Sequence, residues 1–161
     1  MDEHAQDFNE WYSGVHRQLV STVVAVFGDV DLARESADEA CVRAYERWDS
    51  VGSMTSPNGW AVRVALNVAK RKRRRSGLER TLLRQISKSE VPGPAGELWQ
   101  VVALLPTRQR QAVALRHIMQ LTEAEVASAM GISRGGVSST LRAAYKSLEV
   151  RISEDGKIAH V

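Results

Sequence analysis

Between Leu121 and Leu141 the chain carries a spacing that few folds can satisfy. Thr122 stands three residues before Glu125, the arrangement in which a threonine hydroxyl and a glutamate carboxylate each satisfy a free backbone amide at a helix start. Val126, Ala127 and Met130 then supply an inner face. Gly131 permits the left-handed backbone needed to leave that helix, Ile132 plugs the corner, and Ser133 is placed to cap a second helix. Ala127 is small enough for the second helix to cross closely, and Val137 lies inside the crossing. The Ala-x3-Gly-x5-Val spacing meets the steric demand of a helix-turn-helix. A helical hairpin without nucleic-acid contacts would share the cap and the corner. The outer face of the second helix adds chemistry: Ser133 at its start, then Arg134, Ser138, Ser139, Arg142 and Lys146, types that reach base edges and phosphates in a major groove. Gly135 and Gly136 keep the start of that helix slim enough to approach a phosphate backbone, at a cost in helix stability.

The rest of the chain also reads as helix. Phe8, Trp11, Tyr12, Val15, Leu19, Val23 and Phe27 recur at spacings of three and four, which places them on one helical face until Gly28 ends the run. Asp29 or Asp31 can cap a second helix whose stripe is Ala33, Ala37, Ala40, Cys41, Ala44, Tyr45 and Trp48. The small residues from Asp49 to Ser56 predict a loop, and Ser56-Pro57 is a good helix start. In the helix that follows, Trp60, Ala61, Val64, Ala65 and Val68 form the inner face, and Arg63, Asn67, Lys70, Arg71 and Arg74 the outer one. The period weakens from Ser76 to Gly96, where Pro92-Gly93-Pro94 cannot continue a helix, although Thr81 to Ile86 could add a short turn. Two more helices are expected from Glu97 to Leu105 and from Pro106 to Met119. The expected architecture is all-α: a helical domain over 1–75, a flexible linker over 76–96, a helix-turn-helix domain over 97–151 and a polar tail over 152–161 that does not require order. Halves this small have marginal cores, so the four tryptophans are expected to be mostly structural.

Charge divides the chain more sharply than its formal net of +3 suggests. Met1 to Asp49 holds 4 Lys/Arg against 11 Asp/Glu, whereas Ser50 to Arg75 holds 7 Lys/Arg and no acid. The run Lys70 to Arg75 is relieved of its self-repulsion most effectively by a polyanion, whose condensed counterions are released on binding. Nucleic acid is therefore the leading partner class, with a solvated helix end as the plainer account.

Several other classes fall away. The longest nearly apolar stretch, Leu19 to Phe27, is well short of the roughly 20 residues that span a bilayer, so no membrane insertion is expected. The start Met1-Asp2-Glu3-His4 lacks the basic opening and apolar core of a secretory signal, and the single cysteine, Cys41, has no intrachain partner, which together favour the cytoplasm. His4, His16, His117 and His160 are scattered, and there is no phosphate-cradling glycine loop, so neither a cofactor nor a metal is expected and enzymatic chemistry is disfavoured.

With these motifs in place, the chain resembles the bacterial RNA polymerase sigma factors of the small extracytoplasmic-function class. Gly28-Asp29-x-Asp31-x-Ala33-x-Glu35 and Asp38-Glu39-Ala40-x-x-Arg43-Ala44-x-x-Arg47-Trp48 are similar to the second conserved region of that family, continued by Pro57-x-x-Trp60-x-x-Arg63-Val64-Ala65-x-Asn67 and the arginine run. Leu104-Leu105-Pro106-x-Arg108-Gln109-Arg110 and the helix-turn-helix are similar to the fourth.

The resemblance implies three surfaces. Glu35, Asp38, Glu39, Arg43 and Arg47 would dock on core RNA polymerase. Ser50, Ser53, Met54, Thr55, Trp60, Arg63, Asn67, Lys70, Arg71 and Arg74 would open promoter DNA at the minus-ten element. Ser133, Arg134, Ser138, Ser139, Arg142 and Lys146 would read the minus-thirty-five element. Such factors commonly carry Gly-Thr-Val-Lys-Ser-Arg where this chain has Gly135-Gly136-Val137-Ser138-Ser139-Thr140, which implies a weaker or differently specified upstream contact. A chain this short is expected to lack a domain that masks its own DNA surfaces, leaving room for an inhibitory anti-sigma partner. The competing expectation is a stand-alone helix-turn-helix regulator with an N-terminal partner-binding or dimerisation domain.

Overall fold

The computed structural model describes residues 3–76 and 96–158, the last four of these through their backbone. The expected turn between Thr81 and Ile86 lies outside the described residues. Eight helices follow one another among them: α1 Glu3–Phe27, α2 Val30–Glu46, α3 Trp48–Val51, α4 Pro57–Arg75, α5 Glu97–Val102, α6 Thr107–His117, α7 Glu123–Met130 and α8 Arg134–Ile158.

Local chemistry sets the boundaries. Gly28 turns the chain at φ +70°, and Asp29 accepts the Leu32 amide at 2.9 Å to start α2. Ser56 accepts the Gly59 amide at 3.0 Å with Pro57 at the first helical position of α4. Two boundaries differ from the sequence expectation. The segment after Trp48 winds through one helical turn, α3, before the loop begins, because Trp48 and Val51 are buried and fix its pitch. The helix α8 continues through Ile158, so the polar end expected to be a tail from Ile152 extends a helix already anchored by Leu141, Ala144 and Leu148.

Helices α1, α2 and α4 pack together as the N-terminal unit, and α5 to α8 as the C-terminal one. In the first, alanines on α2 allow close approach: Ala33, Ala37, Ala40 and Ala44 are fully buried. An aromatic group closes its outer end, where Phe8 meets Trp48 edge-on at 5.3 Å and Tyr45 at 5.0 Å. Trp11, half-buried, donates its indole N–H to the Asn58 carbonyl oxygen at 2.7 Å and ties α1 to the start of α4.

The units also pack on each other. Along α1, Val20 and Val24 fall away from the stripe of Val15, Leu19 and Val23, yet they are buried as well. Helix α1 packs against α6 in addition to α2 and α4, and α4 packs against α7. One apolar cluster consequently runs from Leu19 and Leu66 to Leu115 and Val137 without a break. The sequence reading of two modules on a slack tether did not foresee this shared core; the valines of α1 facing away from the stripe were its signal.

Candidate nucleic-acid interface

The helix-turn-helix is built as its spacing predicts. The Thr122 hydroxyl accepts the Glu125 amide at 3.2 Å and the Glu125 carboxylate accepts the Thr122 amide at 3.1 Å, completing the capping box. Gly131 adopts φ +67°, a left-handed conformation that glycine enters without a Cβ penalty. Val137 is fully buried in the crossing.

Of the side chains expected to meet DNA on α8, Arg134, Ser139, Arg142 and Lys146 are exposed. Two others are partly engaged. Ser133 accepts the Gly136 amide at 3.0 Å as the helix cap. Ser138, half-buried, donates to the Glu123 carboxylate at 2.9 Å and braces α8 against α7. The two glycines also separate in role. A Cβ on Gly136 would sit 3.3 Å from the capping Ser133 oxygen, whereas one on Gly135 meets nothing closer than 3.9 Å. Gly135→Ala should therefore raise stability by about 0.5 kcal/mol, and Gly136→Ala should not; thermal unfolding of the two variants checks this. If Gly135 is there for backbone approach to a phosphate, its alanine variant binds upstream-element duplex more weakly despite the gain.

On α4, Arg63, Asn67, Lys70, Arg71 and Arg74 all project outward from a buried face of Ala61, Val62, Ala65, Leu66, Val68 and Ala69. Before it, Ser53, Met54 and Thr55 are exposed, with the Ser53 hydroxyl donating to the Asp49 and Ser50 carbonyls to hold the loop's shape. Trp60, which faces this loop, is half-buried and packs on the core. Arg73 sits over the Phe27 ring at 5.2 Å, so one member of the arginine run serves the fold.

The acidic helix α2 divides into two stripes, a distinction that charge counting did not draw. One stripe turns to α4: Glu35 pairs with Lys72 at 3.2 Å, and Glu39 pairs with Arg43 and with Arg71 at 3.4 Å. The other turns to solvent. On it Asp38 meets His16 of α1 at 2.7 Å, and beside them Tyr12, Val42 and Tyr45 are exposed, the last two at 56%. A shallow hollow of about 350 Å³ opens between Tyr12, Asp38, Val42 and Tyr45. Arg47 caps the end of α2 and is exposed. Sequence reasoning put Tyr12 and Tyr45 on the buried stripes of α1 and α2, whereas both are exposed, at the edges of those stripes; it took the charged residues of α2 and did not single out Val42, an apolar side chain lying outside the alanine stripe. Under this surface Cys41 is buried, and desolvation, aided by Asp38, pushes its thiol up to about 12.

A cationic helix beside a shaped loop, together with a helix-turn-helix, defines a DNA-binding protein. Residues 11–79 match the family described as Sigma-70 region 2, and residues 95–148 the one described as Sigma-70, region 4, so the two regions together cover most of the chain. The RNA polymerase sigma-E factor of Streptomyces avermitilis is 28% identical over 88% of this chain and 83% of its own length. That of Streptomyces antibioticus is 29% identical over 81% and 76%. Among solved structures, the sigma factor RpoE of Bartonella quintana, in complex with the anti-sigma factor NepR, superposes with a TM-score of 0.70 at 18% identity, covering 92% of this chain and 98% of that one. CnrH, in complex with the cytosolic domain of CnrY, gives 0.60 at 18% identity over 94% and 96%.

The chain belongs to the sigma-70 family of RNA polymerase sigma factors, in its extracytoplasmic-function class. It joins core RNA polymerase and directs it to promoter DNA to begin transcription. The family is not one of enzymes, and no helix among the described residues is long and apolar enough to cross a membrane.

Proposed function

We propose that this factor divides its task over three surfaces. The outer stripe of α2, with Asp38, Val42 and Tyr45 beside Tyr12, docks on core polymerase; Glu35, Glu39, Arg43 and Arg47 form its charged border. An apolar centre within a polar rim is the usual anatomy of a specific protein interface. The loop Ser50 to Thr55 and the outer face of α4 take the minus-ten element. Trp60 and the loop offer a place for an unpaired base, and Arg63, Asn67, Lys70, Arg71 and Arg74 hold the strand. Extruding a base costs on the order of a few kcal/mol, which these contacts offset. Helix α8 reads the minus-thirty-five element through Arg134, Ser139, Arg142 and Lys146, with Ser133 and Ser138 setting its position.

The chain itself makes and breaks no bonds in this scheme and works in the cytoplasm, where an anti-sigma protein is a fitting regulator. The observation that supports the reading is the placement of an anionic helix and a cationic helix side by side, which suits a protein partner on one and DNA on the other. Run-off transcription from a promoter library with purified core polymerase tests it. A chain that binds DNA well unaided and never redirects polymerase would instead be a stand-alone regulator.

Phosphate contacts on α4 have a quantitative signature. Arg71→Ala with Arg74→Ala should weaken promoter complexes across sequences and flatten the dependence of log K on log salt by about 2, at roughly 0.9 per phosphate contact. An unchanged slope would place these arginines away from the DNA.

A further inference from the structure

One carboxylate of the helix-turn-helix has no task in the three surfaces above. Glu123 opens α7, half-buried, and one of its oxygens accepts the Ser138 hydroxyl at 2.9 Å. Ser138 comes four residues after Arg134 and four before Arg142, so helical spacing sets it between those two exposed cations on one face of α8. The bond to Ser138 therefore brings the Glu123 carboxylate to the side of α8 that carries these cations. Among the described residues it forms no ion pair there. Its charge is felt further along the same side: burial pushes the Tyr145 hydroxyl up, Arg116 opposes the rise and Glu123 adds to it.

Chemistry narrows what such a group can meet. An ionised carboxylate only accepts hydrogen bonds, and the Ser138 proton is already given to it. It repels a phosphate at contact distance, whereas Arg134 and Arg142 on either side suit phosphates and guanine edges. In a major groove the base donors are the exocyclic amines of cytosine and adenine, while guanine and thymine present acceptors. Adenine also sets its N7 acceptor beside the amine, so cytosine is the better match for a carboxylate. The bond to Ser138 holds the long glutamate side chain in place before DNA arrives, so less side-chain freedom is lost on binding.

We infer that Glu123 is a base-reading residue of the minus-thirty-five surface, accepting from the N4 amine of a cytosine, and that Ser138 is the positioning residue that holds it there. This rests on the promoter reading above and deepens it. Reading of the upstream element is then shared by two helices, the cations of α8 taking guanine or phosphate and the carboxylate of α7 taking the cytosine. The serine at 138 is what leaves Glu123 open. A lysine there, as in the Gly-Thr-Val-Lys-Ser-Arg pattern, would pair with the carboxylate and take it out of use.

Run-off transcription by the holoenzyme, formed from the full chain and purified core polymerase, tests this on promoters carrying each base pair in turn at every position of the minus-thirty-five element. The unaltered factor should prefer C·G at one position by about 10-fold over T·A and over G·C, as one good base contact gives. Glu123→Ala should bring that preference to within about 2-fold and leave the other positions as they were. Glu123→Gln keeps an oxygen for the Ser138 hydroxyl and gains a donor, so the preference at the same position should move to A·T, the pair that suits a glutamine amide. A role confined to bracing α8 would leave the Glu123→Gln profile unaltered and spread the loss in Glu123→Ala evenly over all positions. Either result overturns the assignment, as does a uniform gain in activity on removing the charge, or an unaltered factor that selects bases in the element without favouring cytosine at any position. An unaltered factor that directs initiation with no base preference anywhere in the element overturns instead the reading of α8 on which the assignment stands.

Discussion

Val42→Asp, and separately Tyr45→Ala, should each lower affinity for core RNA polymerase by about 30-fold, equivalent to roughly 2 kcal/mol at a buried interface anchor. Both side chains are more than half exposed in the free factor; Val42→Asp removes no core packing, and Tyr45→Ala gives up the edge-on contact of its ring with Phe8. Val42→Asp also places a third carboxylate in line with Asp38 and Glu46 at helical spacing, which makes the stripe repel any acidic partner surface. Titration of labelled factor with purified core enzyme measures the loss, and thermal unfolding confirms that the variants remain folded. A folded Val42→Asp protein with unaltered affinity would remove the outer stripe of α2 from the docking surface.

Leu115→Ala should cost about 3 kcal/mol, the typical penalty for emptying a fully buried leucine site. Leu115 is completely inaccessible and belongs to the cluster that also contains Leu19 and Leu66 of the other unit. The destabilisation is expected in one transition, followed identically by the N-terminal tryptophans, Trp11, Trp48 and Trp60, and by the helical signal of the whole chain. Two transitions, with only the C-terminal one displaced, would mean that the contact between α1 and α6 contributes little in solution.

How much of this could be read without a structure differs by element. The helix-turn-helix was legible to the atom group: Thr122, Glu125, Gly131, Ser133 and Val137 each do what spacing and backbone preference require. The starts of α2 and α4 were legible for the same reason, since capping is decided within four residues. What escaped is non-local. Ser138 looked like a groove contact because its neighbour across the crossing, Glu123, is fifteen residues away. The pairing of Glu35 and Glu39 with Lys72 and Arg71 also went unseen, because those cations come from a different helix. The packing of the two units was written only in the breadth of the apolar surface on α1, a signal that says another element must cover Val20 and Val24 without naming which.

On the proposed division of surfaces, the ion pairs between α2 and α4 would tie the two tasks together. Glu39 is shared by Arg43 on its own helix and Arg71 on the next, so a phosphate that captures Arg71 leaves that carboxylate more negative toward whatever grips α2. Pairs as accessible as these contribute about 0 to 1 kcal/mol each, enough to tune and too little to lock. Linkage then runs both ways: whatever factor the enzyme's grip adds to strand affinity, the strand returns to the grip. An acidic helix with its cations on loan from the neighbouring one would then act as a hinge of affinity, through which assembly and promoter opening reinforce or relax each other in equal measure.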